Sequence, residues 1–321
     1  MDWRVLGHSD IRVSPMGMGC WAIGGTWRFL DIPGGWGEVD DHESIRAIHA
    51  ALDSGINFFD TAATYGTGHS EYIVGKALAQ HRDKVVIATK FGFNVNQTAK
   101  HVTRYNKNAE VLLNLRRDCE TSLRQLNMDY IDLYQLHVWD YPNDLAETLV
   151  EALEVLVEEG KIRYYGWSTD SVESARMFAQ GEHCVAIQHD LNVVRDAQAM
   201  LALCEELNLA SVNRSPLARG ALTGKYTPDT VFASNDVRQD AWSKETFFVP
   251  ILAKLDALRD ILTSEGRTLA QGALAWIWPR SNVTIPIPGI RTVEQALENA
   301  KAMSFGALKP EQMRQIEALL G

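Results

Sequence analysis

Four side chains that could share one reaction stand at intervals in the first half of the chain. They are Asp60 and Tyr65 in FFDTAATYG, Lys90 in IATKFG, and His137 in YQLHVWD. A phenol has a pKa of about 10, so unaided it is a poor proton donor or base near neutrality. An ammonium about 4 Å away would favour the phenolate by at most roughly 4 kcal/mol at an effective dielectric near 20. That corresponds to about three pKa units, enough to bring a tyrosine toward neutrality. A carboxylate beside the lysine would fix its position and temper the shift. An imidazole could then hydrogen-bond an incoming carbonyl oxygen or pass a proton to the phenol. Together the set would polarise a carbonyl and protonate the alkoxide formed when hydride arrives. None of the four can supply hydride, so a nicotinamide cofactor is implied. Singly, each has a duller explanation: a rim histidine or lysine, a capping aspartate, a packing tyrosine. Their coincidence at the ends of three apolar runs favours the chemistry.

Apolar runs alternating with helical stretches must position these groups. WRVLGHSDIRVSP holds two half-apolar runs around a turn, a β-hairpin signal. Strands are then expected at MGMGCW, NFFD, KVVIATK, YIDLYQLH, IRYYGWS, VAIQ, LASVNR and VTIPIP. Residues 41–54 carry Ile45, Ile48 and Leu52 on one helical face, stopped by Gly55. A second helix is expected from Glu71 to Leu78, capped by Ser70. A third spans 109–126, with Leu112, Leu115, Cys119, Leu123 and Leu126 in one stripe, and a fourth spans 144–159 before Gly160. Eight such alternations after a hairpin predict an α/β fold, a (β/α)8 TIM barrel, forming a single domain over residues 1–321. Its long βα loops would be 22–39, 93–108 and 217–246. In a barrel, polar residues at the carboxyl ends of strands face the active site. That rule selects Asp60 with Tyr65 in its loop, Lys90, His137, Ser168 and Thr169, Gln188, and Arg214 with Ser215.

Composition narrows the alternatives. The formal net charge is −10 and no basic stripe is present, which argues against a nucleic-acid partner. A small anion in a local Lys/Arg pocket is compatible with that balance. Cys20, Cys119, Cys184 and Cys204 lie far apart with no C-x-x-C pair, as expected of reduced thiols. The opening MDWRVLGHSD has no apolar h-region and no apolar run reaches 18 residues, so a cytoplasmic, membrane-free location is expected. A metal-dependent barrel hydrolase would need several His and carboxylate ligands at the strand ends, without an opposing lysine. Only His137 and Asp60 fall there, beside Lys90, so no metal is expected.

The chain resembles the aldo-keto reductases over nearly its whole length. The resemblance rests on VLGHSDIRVSPMGMGCWAIGG, GINFFDTAATYG, KVVIATKFG, MDYIDLYQLH, GKIRYYGWST, SPLARGALTGKY and IPGIRTVEQALEN, in that order. It is most similar to the bacterial subgroup related to potassium-channel β-subunits and to sugar- and inositol-utilisation reductases. The resemblance implies a catalytic tetrad of Asp60, Tyr65, Lys90 and His137 in an NADP(H)-dependent oxidoreductase interconverting carbonyl and alcohol. It also implies NADPH bound in extended form, without a Rossmann domain. Ser168, Thr169 and Gln188 would hold the nicotinamide carboxamide, with Cys20, Trp21 and Asp60 counted among the cofactor contacts. Ser215, Leu217, Gly220 and Lys225 would meet the pyrophosphate. Gly289 and Arg291 would meet the adenosine 2′-phosphate, and Gln295, Glu298 and Asn299 would surround the adenine. Arg238 is a further phosphate candidate. Arg214 stands near the place where many relatives stack a tyrosine on the nicotinamide, and its charge would alter the cofactor's electrostatics. Gln295 stands where some NADPH-preferring relatives carry Arg, so NADH is kept as an alternative. Trp21 and Phe91, with Tyr65 and His137, would form the substrate pocket. Trp27, Trp36, Trp139 and Phe93 lie on the same loops, whereas Trp276 and Trp278 read as helix core. A second implication is an NADPH-loaded regulatory subunit that senses redox state. The identity of the carbonyl substrate, and of any protein partner, is not written in these motifs.

Overall fold

Period-two alternation along strands apolar on both faces is what builds this molecule. The computed structural model describes residues 2–239 and 244–320, so residues 240–243 of the expected 217–246 loop lie outside the described residues. A hairpin of β1 (Arg4–Val5) and β2 (Arg12–Val13) comes first, followed by β3 (Met18–Gly19). Next come β4 (Arg28–Phe29), β5 (Ile32–Pro33), β6 (Phe58–Asp60), β7 (Val86–Phe91), β8 (Asn94–Asn96) and β9 (His101–Thr103). The series ends with β10 (Ile131–Leu136), β11 (Ile162–Ser168), β12 (Cys184–Asp190), β13 (Ala210–Arg214) and β14 (Thr284–Pro286).

Eight parallel strands run in the order β3-β6-β7-β10-β11-β12-β13-β14. The sheet closes on itself: the Gly17 N–H donates to Pro286 O at 2.9 Å and the Gly19 N–H to Pro288 O at 2.9 Å. The expected (β/α)8 barrel is the observed fold. Its interior is a separate apolar cluster in which Phe58, Val86, Ala88, Leu133, Val212 and Ile285 meet Leu6, Ile11 and Val13 of the hairpin. The hairpin thus plugs the end where strands begin, leaving the end where strands finish for polar groups. Alternate residues face the enclosing helices: Phe59, Ile87, Tyr134 and Trp167 pack with Ile48, Leu115, Leu149 and Phe178 in the outer core.

Helices Asp41–Asp53, Ala109–Leu126 and Asn143–Glu158 lie within one residue of their expected bounds. The second helix differs. It starts at His69, after Gly68 at φ 95°, and Ser70 does not cap it. Instead Ser70 Oγ donates to Cys20 O at 2.8 Å and receives Thr61 Oγ1 at 2.8 Å, tying β3 to β6. The loops 22–39 and 93–108 also hold more order than expected. Their short strands β5, β4, β9 and β8 pair, in that order, into a small sheet beyond the end where the barrel strands finish.

Candidate active site

Strand register delivers the four reactive groups to one place. On β7, Val86, Ala88 and Lys90 alternate with Ile87, Thr89 and Phe91, so Lys90 points into the barrel above Ala88. The same rule puts Asp60 above Phe58 on β6 and Gln135 above Leu133 on β10. Lys90 Nζ donates to Asp60 Oδ1 at 2.5 Å, to Thr61 O at 2.8 Å and to the Tyr65 hydroxyl at 3.3 Å. The side chain is wholly buried, so all three ammonium protons are accounted for within the protein. The other carboxylate oxygen, Asp60 Oδ2, accepts from Gln135 Nε2 at 3.0 Å and from Gln188 Nε2 at 2.8 Å. Asp60 is therefore held from both sides. His137 stands edge-on to Tyr65, ring centroids 5.8 Å apart, with Thr64 Oγ1 at 3.4 Å from its Nδ1.

The electrostatics correct one expectation. Tyr65 is shifted up from the usual tyrosine value, because burial outweighs the opposing charge of Lys90 and Asp60 cancels part of that charge. The phenol is thus a retained acid at neutral pH. Burial pulls Lys90 down, but Asp60 and Tyr65 together overcome it and leave the ammonium raised. Burial, reinforced by Lys90 and Arg214, drives His137 well below the usual histidine value, so the imidazole is neutral.

These groups open onto a cavity of about 830 Å³. Asp60, Tyr65 and His137 line it, with Lys90 behind them. Cys20, Trp21, Ser168, Gln188, Arg214, Ser215, Leu217, Gly220 and Lys225 also line it, as do Gly289, Arg291, Gln295, Glu298 and Asn299. Two expected residues are elsewhere. Phe91 is turned outward by its place next to Lys90, and its ring stacks on Tyr134 at 4.6 Å. Its neighbour Phe93, beyond Gly92 at φ 112°, lines the cavity instead. Thr169 follows the inward Ser168 and points away, donating to Trp139 O at 3.0 Å and accepting from the Ser171 N–H.

Trp27, Phe29, Trp36, Phe93 and Trp139 form an aromatic wall beside Tyr65 and His137, next to Trp21, which stacks near Tyr65 at 5.9 Å. Elsewhere on the lining, Ser215, Ala218, Arg219 and Gly220 all have positive φ, a tight curl closed by the Ala218 N–H to Ser215 O and the Gly220 N–H to Leu217 O, each at 2.9 Å. Lys225, 3.9 Å from Glu298, and Arg291 bring positive charge to that part of the cavity. Arg291 donates through both Nη atoms to Trp36 O and Glu38 O, while its backbone N–H is accepted by Gln295 Oε1 at 2.8 Å. Arg238 is already committed: its guanidinium pairs with Asp236 at 2.6 Å and lies over Phe232. A cavity of this volume, lined by a neutral acid and, elsewhere, by Lys225 and Arg291, fits a dinucleotide.

Several lining residues were missed from sequence: Asn192, Arg195 and Lys254, the last on helix Val249–Leu262. No local motif marks them. Gln135 was also missed, although a signal existed: it is the polar residue two before His137 in an apolar strand, hence on the same face.

Comparison with known proteins places these features in a wider set. The model of the Aldo/keto reductase family matches residues 15–320. The chain is 33% identical over 328 residues to aldo-keto reductase YhdN of Bacillus subtilis, covering 100% of this chain and 94% of that one. It is 32% identical to the NADH-specific methylglyoxal reductase of Escherichia coli, covering 94% and 93%. Among solved structures, the glycerol dehydrogenase AKR11B4 of Gluconobacter oxydans is similar at TM-score 0.82 and 32% identity, covering 99% and 95%. An aldo-keto reductase of Klebsiella pneumoniae in complex with NADPH is similar at TM-score 0.69 and 26% identity, covering 100% and 96%.

Proposed function

Because this chain belongs to the aldo/keto reductase family, we propose that it interconverts a carbonyl and its alcohol with NADP(H), Tyr65 exchanging the proton. The observation that carries the reading is the contact of Lys90 Nζ with both Asp60 and the Tyr65 hydroxyl. The nicotinamide cofactor, when bound, supplies or accepts the hydride.

The protein's own groups do the rest. Tyr65, kept protonated by burial, donates its proton to the carbonyl oxygen as negative charge develops there. The phenolate left behind is stabilised by the adjacent ammonium of Lys90, which Asp60 holds in place. Neutral His137 hydrogen-bonds the same oxygen and orients the carbonyl. Bound substrate against the aromatic wall would displace water from this region, which would strengthen each of these interactions. In the oxidative direction the phenolate is the base. Ser168 and Gln188 would hold the carboxamide end of the cofactor. Lys225 and Arg291, beside the Ser215–Gly220 loop, would hold its phosphates. Arg–phosphate contacts are bidentate and charge-assisted, which favours NADPH over NADH.

The named relatives act on glycerol and methylglyoxal, so short aldehydes, ketoses and polyols are the first substrates to test. Purified protein is assayed on such a panel with NADPH, NADH and NADP+, beside Tyr65→Phe. Turnover lost in Tyr65→Phe with cofactor binding kept supports the reading, whereas turnover retained in that variant removes Tyr65 from its role. Cofactor binding with no turnover on any panel member would favour a redox-sensing subunit instead.

A further inference from the structure

Where β11, β12 and β13 end, four charged side chains of alternating sign form a closed ring. Arg214 Nη2 donates to Asp170 Oδ2 at 2.7 Å, and its Nε lies 3.2 Å from Asp190 Oδ1. Arg195 Nη1 donates to Asp190 Oδ2 at 2.6 Å and Nη2 to Asp170 Oδ2 at 3.3 Å. The Asp190 backbone N–H is accepted by Asp170 Oδ1 at 2.9 Å, which ties the Asp170 carboxylate to the end of β12. The ring sums to zero charge. Asp190, Arg195 and Arg214 line the cavity on the wall that Ser168 and Gln188 share.

Arg214 faces inward, two residues beyond Val212 on β13, and donates to Gln188 O at 3.3 Å. Its field reaches the catalytic groups, pulling against the upward shift of Tyr65 and adding to the downward shift of His137. A charge felt by both is also felt by a ring lying beside them. On the reading proposed above, that ring is the nicotinamide, which must lie close to a carbonyl held by Tyr65. It is positively charged when oxidised and neutral when reduced. An uncompensated guanidinium nearby would penalise the oxidised form alone.

We infer that Asp170 and Asp190 set the relative affinity for oxidised and reduced cofactor by neutralising Arg214, with Arg195 as the counter-charge that keeps the ring from becoming anionic. The inference rests on the cofactor assignment proposed above. These are positioning residues, since none of them reacts. A purely structural role, pinning three strand ends together, would change the binding of both forms alike. A charge role changes their ratio, and with opposite sign for acidic and basic members.

The test is fluorescence titration of the purified protein with NADPH and with NADP+, at low and high salt, with thermal melting to verify folding. Wild type is compared with Asp170→Asn, Asp190→Asn and Arg195→Gln. Either Asp→Asn substitution is expected to raise Kd(NADP+)/Kd(NADPH) roughly tenfold, after allowance for the ring's partial exposure to solvent. Arg195→Gln is expected to lower the ratio several-fold, on the order of one partly screened charge, and salt should shrink both effects. A ratio constant within about twofold in folded variants, or one moving the same way for acidic and basic substitutions, overturns the inference. If one variant fails to fold, the remaining acidic and basic substitutions still give the comparison of sign. If wild type binds neither form, the cofactor assignment fails first, and the two failures are told apart.

Discussion

Lys90 Nζ lies 3.3 Å from the Tyr65 hydroxyl, yet that hydroxyl is harder to ionise than a free phenol. The lysine does not make a standing phenolate. It waits for one to form.

That relationship fixes a sign for pH dependence. On the proposed mechanism reduction uses the protonated phenol, so its kcat should stay level through neutrality and fall only as pH rises past the upward-shifted Tyr65 pKa. Oxidation, using the phenolate, should rise with pH over the same range. His137, neutral throughout, should add no step between about pH 6 and 8. Profiles of kcat measured in both directions check this, and a reductive profile that collapses near neutrality would count against Tyr65 as the acid.

Gln135 should matter through Asp60 rather than through any substrate. Gln135→Leu removes one of two amide donors from Asp60 Oδ2. A hydrogen bond to a charged group contributes about 1.5–3 kcal/mol, and that loss is the expected drop in stability. In an Asp60→Asn background the same change should cost much less. A double-mutant cycle in urea measures the difference, and additivity would show that the two do not communicate.

Glu71 gives a second pH signature, this time in stability. It is buried between helix His69–Leu78 and the barrel, where it accepts from Thr89 Oγ1 at 2.6 Å. Burial lifts it to about 7, against the pull of the Thr89 and Ser122 hydroxyls and of Lys90. With the folded value above the unfolded one, the native state holds the extra proton. Its stabilising contribution is complete below the unfolded value and is lost as pH rises through about 7. The lost amount is of the order of 3 kcal/mol. Glu71→Gln, which mimics the protonated acid, should flatten that slope. Urea midpoints near pH 5 and pH 8 test it, and equal destabilisation at both would refute it.

Arg291→Ala should weaken NADPH by roughly ten- to a hundredfold, the loss of a charge-assisted phosphate contact, while leaving NADH nearly unchanged. Its guanidinium also donates to Trp36 O and Glu38 O, so a modest fall in melting temperature should accompany the change. Equal loss of both cofactors would put phosphate recognition elsewhere.

The barrel was legible because strands and helices alternate with clear periods, and because polar residues closing apolar runs mark one end of it. Asp60, Tyr65, Lys90 and His137 follow from that rule and meet as the register requires. Phe91 and Thr169 were misplaced by counting them as strand-end residues without asking which side of the pleat they occupy. Adjacent strand residues face opposite ways, so an inward Lys90 and an inward Ser168 exclude both. The small sheet of β4, β5, β8 and β9 escaped notice because strands of two or three residues carry too little pattern to show a period. Arg195 and Lys254 were invisible for another reason: only long-range folding brings them to the cavity.

The closure of the barrel has a consequence for how the chain comes to be made. β3 pairs with β6 early in the sequence, but its other edge is satisfied by Pro286 and Pro288, and by the Ile290 N–H that Gly19 O accepts. On the ribosome, that edge stays open until the segment through Ile290 has emerged. Seven-eighths of a barrel presents two unpaired strand edges to every neighbouring nascent chain, and long-range pairings of this kind form slowly. The last strand of this barrel to be synthesised is the one that makes its first safe from aggregation.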